Sequence, residues 1–187
     1  MNNFLDNFYG VLFNPKETFE RLKNEPSLAQ SAVIVFIVSI LAPVLDSSIN
    51  SVPDLLPLLF KVFNSAFGGF LSWLFFAAFL EIIAGIFRKG GKIKSFLCLS
   101  AFALLPWLFI APVELFKTGG TLIKVIGILL GYLVWLWTTV LTAYAVMKTY
   151  EITPARLISF LLVPSFGFIL SLCWIVGFFT TLIQIVH

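Results

Sequence analysis

At 187 residues the chain has the length of one ordinary domain, yet 60% of its residues are apolar and only 11% are charged. That balance suits burial in lipid and leaves few side chains for chemistry, which weighs against a soluble enzyme or a nucleic-acid binder. The net charge of +3 names no partner by itself, because in a membrane protein the placement of Lys and Arg matters more than their sum.

Residues 1–26 read as an amphipathic preface. Phe4, Leu5, Phe8, Val11 and Leu12 recur near helical spacing, with Asp6 and Asn7 on the other side, so a short helix with one bilayer-facing apolar stripe is expected. Asn14, Pro15 and Glu17 supply an N-cap, a proline at the first helical position and an acid in the first turn of a second short helix. Phe19 and Leu22 give it a narrow apolar stripe, Glu17 and Arg21 an i,i+4 pair, and Pro26 ends it. Met1 to Asp6 lacks a basic n-region, so no cleavable signal is expected and the first span should stay as an anchor.

The remainder, 27–187, reads as membrane spans. Ser27 and Gln30 suggest a capping box for a first span over 28–45, which carries no charge. Asp46 to Pro57 has the composition of a loop. The second run, 58–87, would be about 45 Å long as a single helix, so it must tilt, protrude or bend near Gly68 and Gly69. Arg88 to Lys94 is a basic loop whose two glycines permit a tight reversal. Further spans follow at 93–116, 122–147 and 155–186, the last opened by Thr153 and Pro154. The expected fold is an all-α polytopic membrane helix bundle with five transmembrane helices preceded by short amphipathic helices.

Orientation follows from the basic residues. Lys16, Arg21, Lys23, Arg88, Lys89, Lys92, Lys94, Lys148 and Arg156 fall on one side of a five-span chain, against Lys61, Lys117 and Lys124 on the other. The positive-inside rule then places the N-terminus in the cytoplasm and His187 outside, in the plasma or inner membrane if the source is prokaryotic.

Ionisable residues in a bilayer are candidates for function until their depth accounts for them. Glu81 lies about two helical turns before Arg88 and is expected just below the headgroups. Glu114 stands three residues before Lys117, where an interfacial ion pair explains both. Lys61 can snorkel outward. Pro106 and Pro112 interrupt the third span and Pro164, with Gly167, the fifth; such breaks line transporter sites but are also common packing kinks. Gly127 with Gly131, Ser65 with Gly69, and Gly68 with Ser72 place small residues one turn apart, suited to close helix packing within the chain or to a homo- or hetero-oligomer. Tyr132, Trp135, Thr138, Thr139 and Thr142 are polar handles for satisfaction within the bundle, and Cys98 and Cys173 fall in apolar runs as packing residues. The sole histidine is His187, and no nucleophile, metal-ligand or phosphate-loop motif occurs, so no enzymatic activity, catalytic residue, metal or cofactor is expected.

FYGVLFNPKETFERLKNEP before the first span, the GGKIKSF turn, LLPWLFIAPVELF in the third span, Trp135 or Trp137 in the fourth and ITPARLISFLLVPSF opening the fifth together resemble the Yip family of Ypt-interacting, five-pass membrane proteins. The resemblance covers nearly the whole chain. It implies a cytoplasmic N-terminus, and for the eukaryotic branch it implies recruitment of prenylated Rab-type GTPases. The chain lacks the long polar tail and the Asp-Leu-Tyr-Gly-Pro-like motif of that branch and looks like a prokaryotic-type member, so topology carries over and GTPase binding does not. The expected function is that of a membrane scaffold or adaptor. Phe4, Phe8, Leu12, Phe19, Arg88, Lys89, Lys92 and Lys94 would meet lipid headgroups or a protein partner. The alternative is a small transporter or lipid-handling protein using the proline-broken helices.

Overall fold

The computed structural model describes residues 4–50, 55–116 and 119–160, and among these all regular structure is helical. Contacts divide the chain into a unit of residues 1–151 and a unit of residues 152–187. The first unit holds α1 (Phe4–Phe13), α2 (Pro15–Asn24), α3 (Leu28–Asn50), α4 (Leu55–Ile86), α5 (Ile93–Ala103), a 3₁₀ segment (Leu105–Phe109), α6 (Ile110–Phe116) and α7 (Thr121–Tyr150). In the second unit residues 154–160 are helical, and the rest of the expected fifth span lies outside the described residues.

Among the described residues, four segments are long and apolar enough to cross a membrane: Leu28–Leu45, Leu55–Ile86, Ile93–Phe116 and Thr121–Tyr150. Their mean hydropathy of about 2 is spread around the helices rather than concentrated on one side, as expected where lipid replaces water as the outer solvent. Phe60, Phe63, Phe67 and Phe75 on α4 and Leu129, Leu133, Trp135 and Val140 on α7 are accordingly exposed.

Several boundaries differ from expectation. α3 carries Pro43 in its interior and continues through Asp46, Ser47 and Ser48 to Asn50, because the polar residues there are tolerated by a helix already propagating and the next proline is Pro53. α4 starts at Leu55 and takes Pro57 into its first turn, where the missing amide has no intrahelical partner to lose. The third span is not one helix. Pro106 cannot donate, and the chain tightens into 3₁₀ geometry, with Leu104 donating to the Ala101 carbonyl at 3.1 Å and Trp107 to the Leu104 carbonyl at 2.9 Å. Pro112, expected as a second interruption, sits in the first turn of α6 and does not stop it. Leu105 and Pro106 are buried at this break. Leu105 packs in an apolar cluster with Ile34, Val38, Phe102 and Leu141.

Small residues let the helices approach. A Cβ on Gly127 would stand 2.9 Å from the Cβ of Phe116, so this glycine seats α7 against α6. Gly131 continues the seam beside Val113 and Ile110. On the α3–α4 seam Ser65 donates to the Ser39 carbonyl at 2.7 Å, and a Cβ on Gly69 would collide with the Ser39 side chain. Both pairs therefore serve internal packing, whereas Gly68 and Ser72 face outward and a Cβ on Gly68 would meet nothing. Thr138, Thr139 and Thr142 donate to carbonyls one turn back in α7, at 3.0, 2.9 and 2.8 Å. Trp73 on α4 donates its indole N–H to Ser100 on α5 at 3.0 Å, and Cys98 is buried without a disulfide.

The preface belongs to this core. Val11, Phe19 and Leu22 are fully buried in the same cluster as Leu99, Phe102, Leu141 and Ala145. Burying an apolar side chain of this size away from water is worth about 1.5–3 kcal/mol, so three of them hold two ten-residue helices that would be marginal in isolation.

Candidate functional site

The charged residues gather where α2, the loop after α4, the start of α5 and the end of α7 meet. α4 ends in a paired motif: Lys89 N–H donates to the Ala84 carbonyl at 2.7 Å and Arg88 N–H to the Gly85 carbonyl at 3.0 Å. That arrangement requires a left-handed residue, and Arg88 supplies it with φ 58°, where glycine is usual. The glycines come later, and Gly91 takes a second positive φ of 88°. The reversal anticipated for Gly90 and Gly91 is thus shared with Arg88.

Glu81 reaches up from α4 into this turn. Its Oε1 accepts from the Gly91 N–H and, at 3.1 Å, from the Lys92 N–H, while its Oε2 accepts from the Tyr150 hydroxyl at 2.9 Å. Lys92 is the N-cap of α5 and offers no side-chain cap, so the Glu81 carboxylate serves as the anion at that helix start. One side chain thereby joins α4, the loop, α5 and α7.

Glu151 forms the second node. It ends α7 in a left-handed conformation, φ 53°, and its own N–H returns to the Met147 carbonyl. Lys23 from α2 and Lys92 from the loop both donate to its Oε1, at 2.7 and 2.9 Å, and Lys89 donates to its carbonyl oxygen at 2.9 Å. The Lys23 ammonium, then that of Lys92, holds the Glu151 carboxyl down at about 2. Three residues earlier on each helix the signs reverse: Glu20 of α2 pairs with Lys148 of α7, and that lysine holds the Glu20 carboxyl below its ordinary value. Ser95 adds a hydrogen bond at 3.1 Å to the Lys23 carbonyl.

On the inner side of the preface, Asn7 is fully buried, accepting from Arg21 at 2.6 Å and donating to Gln30 at 3.2 Å. This links α1, α2 and α3 and takes Arg21 away from the expected Glu17 pair; Glu17 instead accepts from the Asn14 side chain at 2.7 Å. Asn14 accordingly precedes Pro15 without capping α2 through its side chain. Phe19, expected on a lipid- or partner-facing stripe, is fully buried and stacks on Tyr144 at 5.6 Å between ring centroids. Its burial is a correction to that expectation, because the α2 stripe is what closes against α5 and α7. Phe4, Phe8 and Leu12 are half-buried against the core. The open side of α1 is a different stripe, Leu5, Tyr9 and Phe13, exposed by 64%, 60% and 81%.

Of the four basic-loop residues singled out in the sequence, Lys89 and Lys92 turn onto Glu151, while Arg88 and Lys94 are exposed. Glu114 is half-buried near the far end of α6, and its expected partner Lys117 lies outside the described residues, as do Pro164 and Gly167. Sequence reasoning passed over Glu151 and Tyr150, and placed Asn7 only on the polar side of α1, where the structure buries it. Glu151 had a detectable signal, an acid between Lys148 and Arg156 at a helix end, but its lysine partners are 59 and 128 residues away.

The helices and their charged end define a multi-span integral membrane protein. Residues 9–176 match the family model of the Yip1 domain, and the chain belongs to the Yip family. No curated protein and no solved structure matches it.

Proposed function

We propose that the protein is a membrane scaffold or adaptor whose basic end faces the anionic cytoplasmic leaflet and presents the preface to lipid headgroups and protein partners. The observation that carries this reading is the division of labour at that end. The core-facing sides of α1 and α2 are locked into the bundle, while Leu5, Tyr9 and Phe13 and the cations Arg88 and Lys94 stay open. Exposed apolar side chains on α1 and exposed cations after α4 suit a headgroup surface, where the rings enter the acyl boundary and the cations meet phosphate. The excess of Lys and Arg on this side supports a cytoplasmic N-terminus.

Transport along the proline-broken helices has weaker support. At the first break the 3₁₀ bonds re-satisfy the backbone and apolar side chains fill the space around Leu105. Full-length protein in nanodiscs and in cells tests the scaffold reading. Arg88→Gln with Lys94→Gln, or Tyr9→Ser with Phe13→Ser, should change the set of proteins captured by in-cell cross-linking and reduce the affinity of the basic end for anionic lipid. Unchanged profiles together with solute flux in liposomes would replace it with the transport reading.

A further inference from the structure

Three ammonium groups from two separate segments converge on one residue. Lys23 and Lys92 share Glu151 Oε1, at 2.7 and 2.9 Å, and so lie within two hydrogen-bond lengths of each other; Lys89 holds the carbonyl of the same residue at 2.9 Å. A single carboxylate faces three positive charges. Of the acids nearby, Glu20 is paired with Lys148, whereas the Glu81 carboxylate is held by uncharged donors, the loop amides and Tyr150. With Arg88, exposed next to Lys89, four positive charges stand against the carboxylates of Glu151 and Glu81, which leaves two over. The side chains of Lys23, Lys92 and Glu151 are 25%, 34% and 59% exposed, so the cluster opens to the outside. Each ammonium has three N–H donors and the bond to Glu151 uses one. Glu151 itself keeps a left-handed backbone that a non-glycine residue adopts at a cost of about 1–2 kcal/mol.

We infer that this cluster is a binding site for a phosphomonoester group, bridged by Lys23, Lys89 and Lys92, with Glu151 as the resident counter-ion that gathers the lysines. A phosphomonoester near neutral pH carries close to two negative charges and three acceptor oxygens, which match the leftover charge and the three converging ammonium groups. A phosphodiester or a carboxylate carries one charge and matches neither. The site rests on the reading of this end as anion-facing and specifies which anion it selects. The group belongs to a lipid headgroup or to a soluble phosphate ester.

The test uses the full-length protein in neutral-lipid nanodiscs, titrated with short-chain phosphatidic acid, short-chain phosphatidylglycerol and glycerol 3-phosphate, with binding read by ³¹P NMR and by thermal shift. Phosphatidic acid should bind saturably and about tenfold or more tighter than phosphatidylglycerol. Lys23→Gln with Lys92→Gln should abolish that preference. Glu151→Gln, which removes the competing carboxylate, should tighten binding several-fold, an outcome that a purely structural role for Glu151 would not produce. Comparable binding of glycerol 3-phosphate supports the site with a soluble ligand, and selective binding of phosphatidic acid supports it with a lipid. Equal affinity for monoester and diester, retained in the double lysine variant but lost in Arg88→Gln with Lys94→Gln, overturns the site and leaves the anion-facing reading standing. No response to any of the three overturns both.

Discussion

Tyr150, the last residue of α7, donates its hydroxyl to Glu81 of α4 across 2.9 Å, joining positions 69 residues apart. The other oxygen of that carboxylate takes the amides of Gly91 and Lys92. A glutamate near the end of an apolar helix is thereby explained without a proton relay. It is the acceptor that orders the loop and the start of α5.

Replacing Glu81 should therefore loosen this end of the bundle. Glu81→Leu is expected to cost about 2 kcal/mol, since it strands two amides and a hydroxyl, and Tyr150→Phe about 1 kcal/mol. Glu81→Gln, which keeps an acceptor, should fall between wild type and Glu81→Leu. Thermal unfolding in detergent, with hydrogen exchange at Gly91 and Lys92, measures this; unchanged protection in Glu81→Leu would refute it.

The two faces of the preface should respond in opposite ways. Phe19→Ala removes a fully buried ring stacked on Tyr144 and is expected to destabilise by about 3–5 kcal/mol. Phe13→Ala, on the open stripe, should stay within about 0.5 kcal/mol of wild type while weakening lipid contact, read by quenching of a label at that position with brominated lipid. The reverse ranking would mean that the preface is not seated on α5 and α7.

Glycine substitutions separate internal from outward faces. Gly127→Ala presses a methyl onto Phe116 and is expected to cost about 1–3 kcal/mol. Gly68→Ala, with open space around it, should be neutral or slightly stabilising through helix propensity. Denaturation midpoints of the two variants in the same detergent decide the matter.

The Glu151 carboxyl is depressed from 4.5 to about 2 in the folded chain, so its contribution is fully present above the unfolded value and is lost as pH falls through the folded one. The tie between α2 and the end of α7 should hold from neutral pH to about 4.5 and weaken between there and about 2. Spin labels on Lys16→Cys and Lys94→Cys, in a Cys98→Ala, Cys173→Ala background, report the distance between preface and loop. A transition near neutral pH would contradict the assignment.

Membrane residence, four helices long and apolar enough to cross, and the basic character of one end were legible in the sequence because they depend on uninterrupted apolar length and on where cations stop. Proline at the break in the third span was legible too, since a missing amide acts locally. The role of Glu81 was read only as far as its depth, because its partners come from the loop and from Tyr150. Local pattern also suggested that Phe19 faced outward, since an amphipathic stripe records that a side is apolar without recording whether lipid or protein covers it.

The sequence by itself determined the class of fold and its charge asymmetry, both sums over short stretches of chain. Only the tertiary structure decided that the preface is part of the core, that Gly127 and Gly69 are spent on internal seams, and that Lys23, Lys89 and Lys92 converge on Glu151. These are pairings between residues tens of positions apart. No periodicity encodes them, and they exist only once helix packing has brought the segments together.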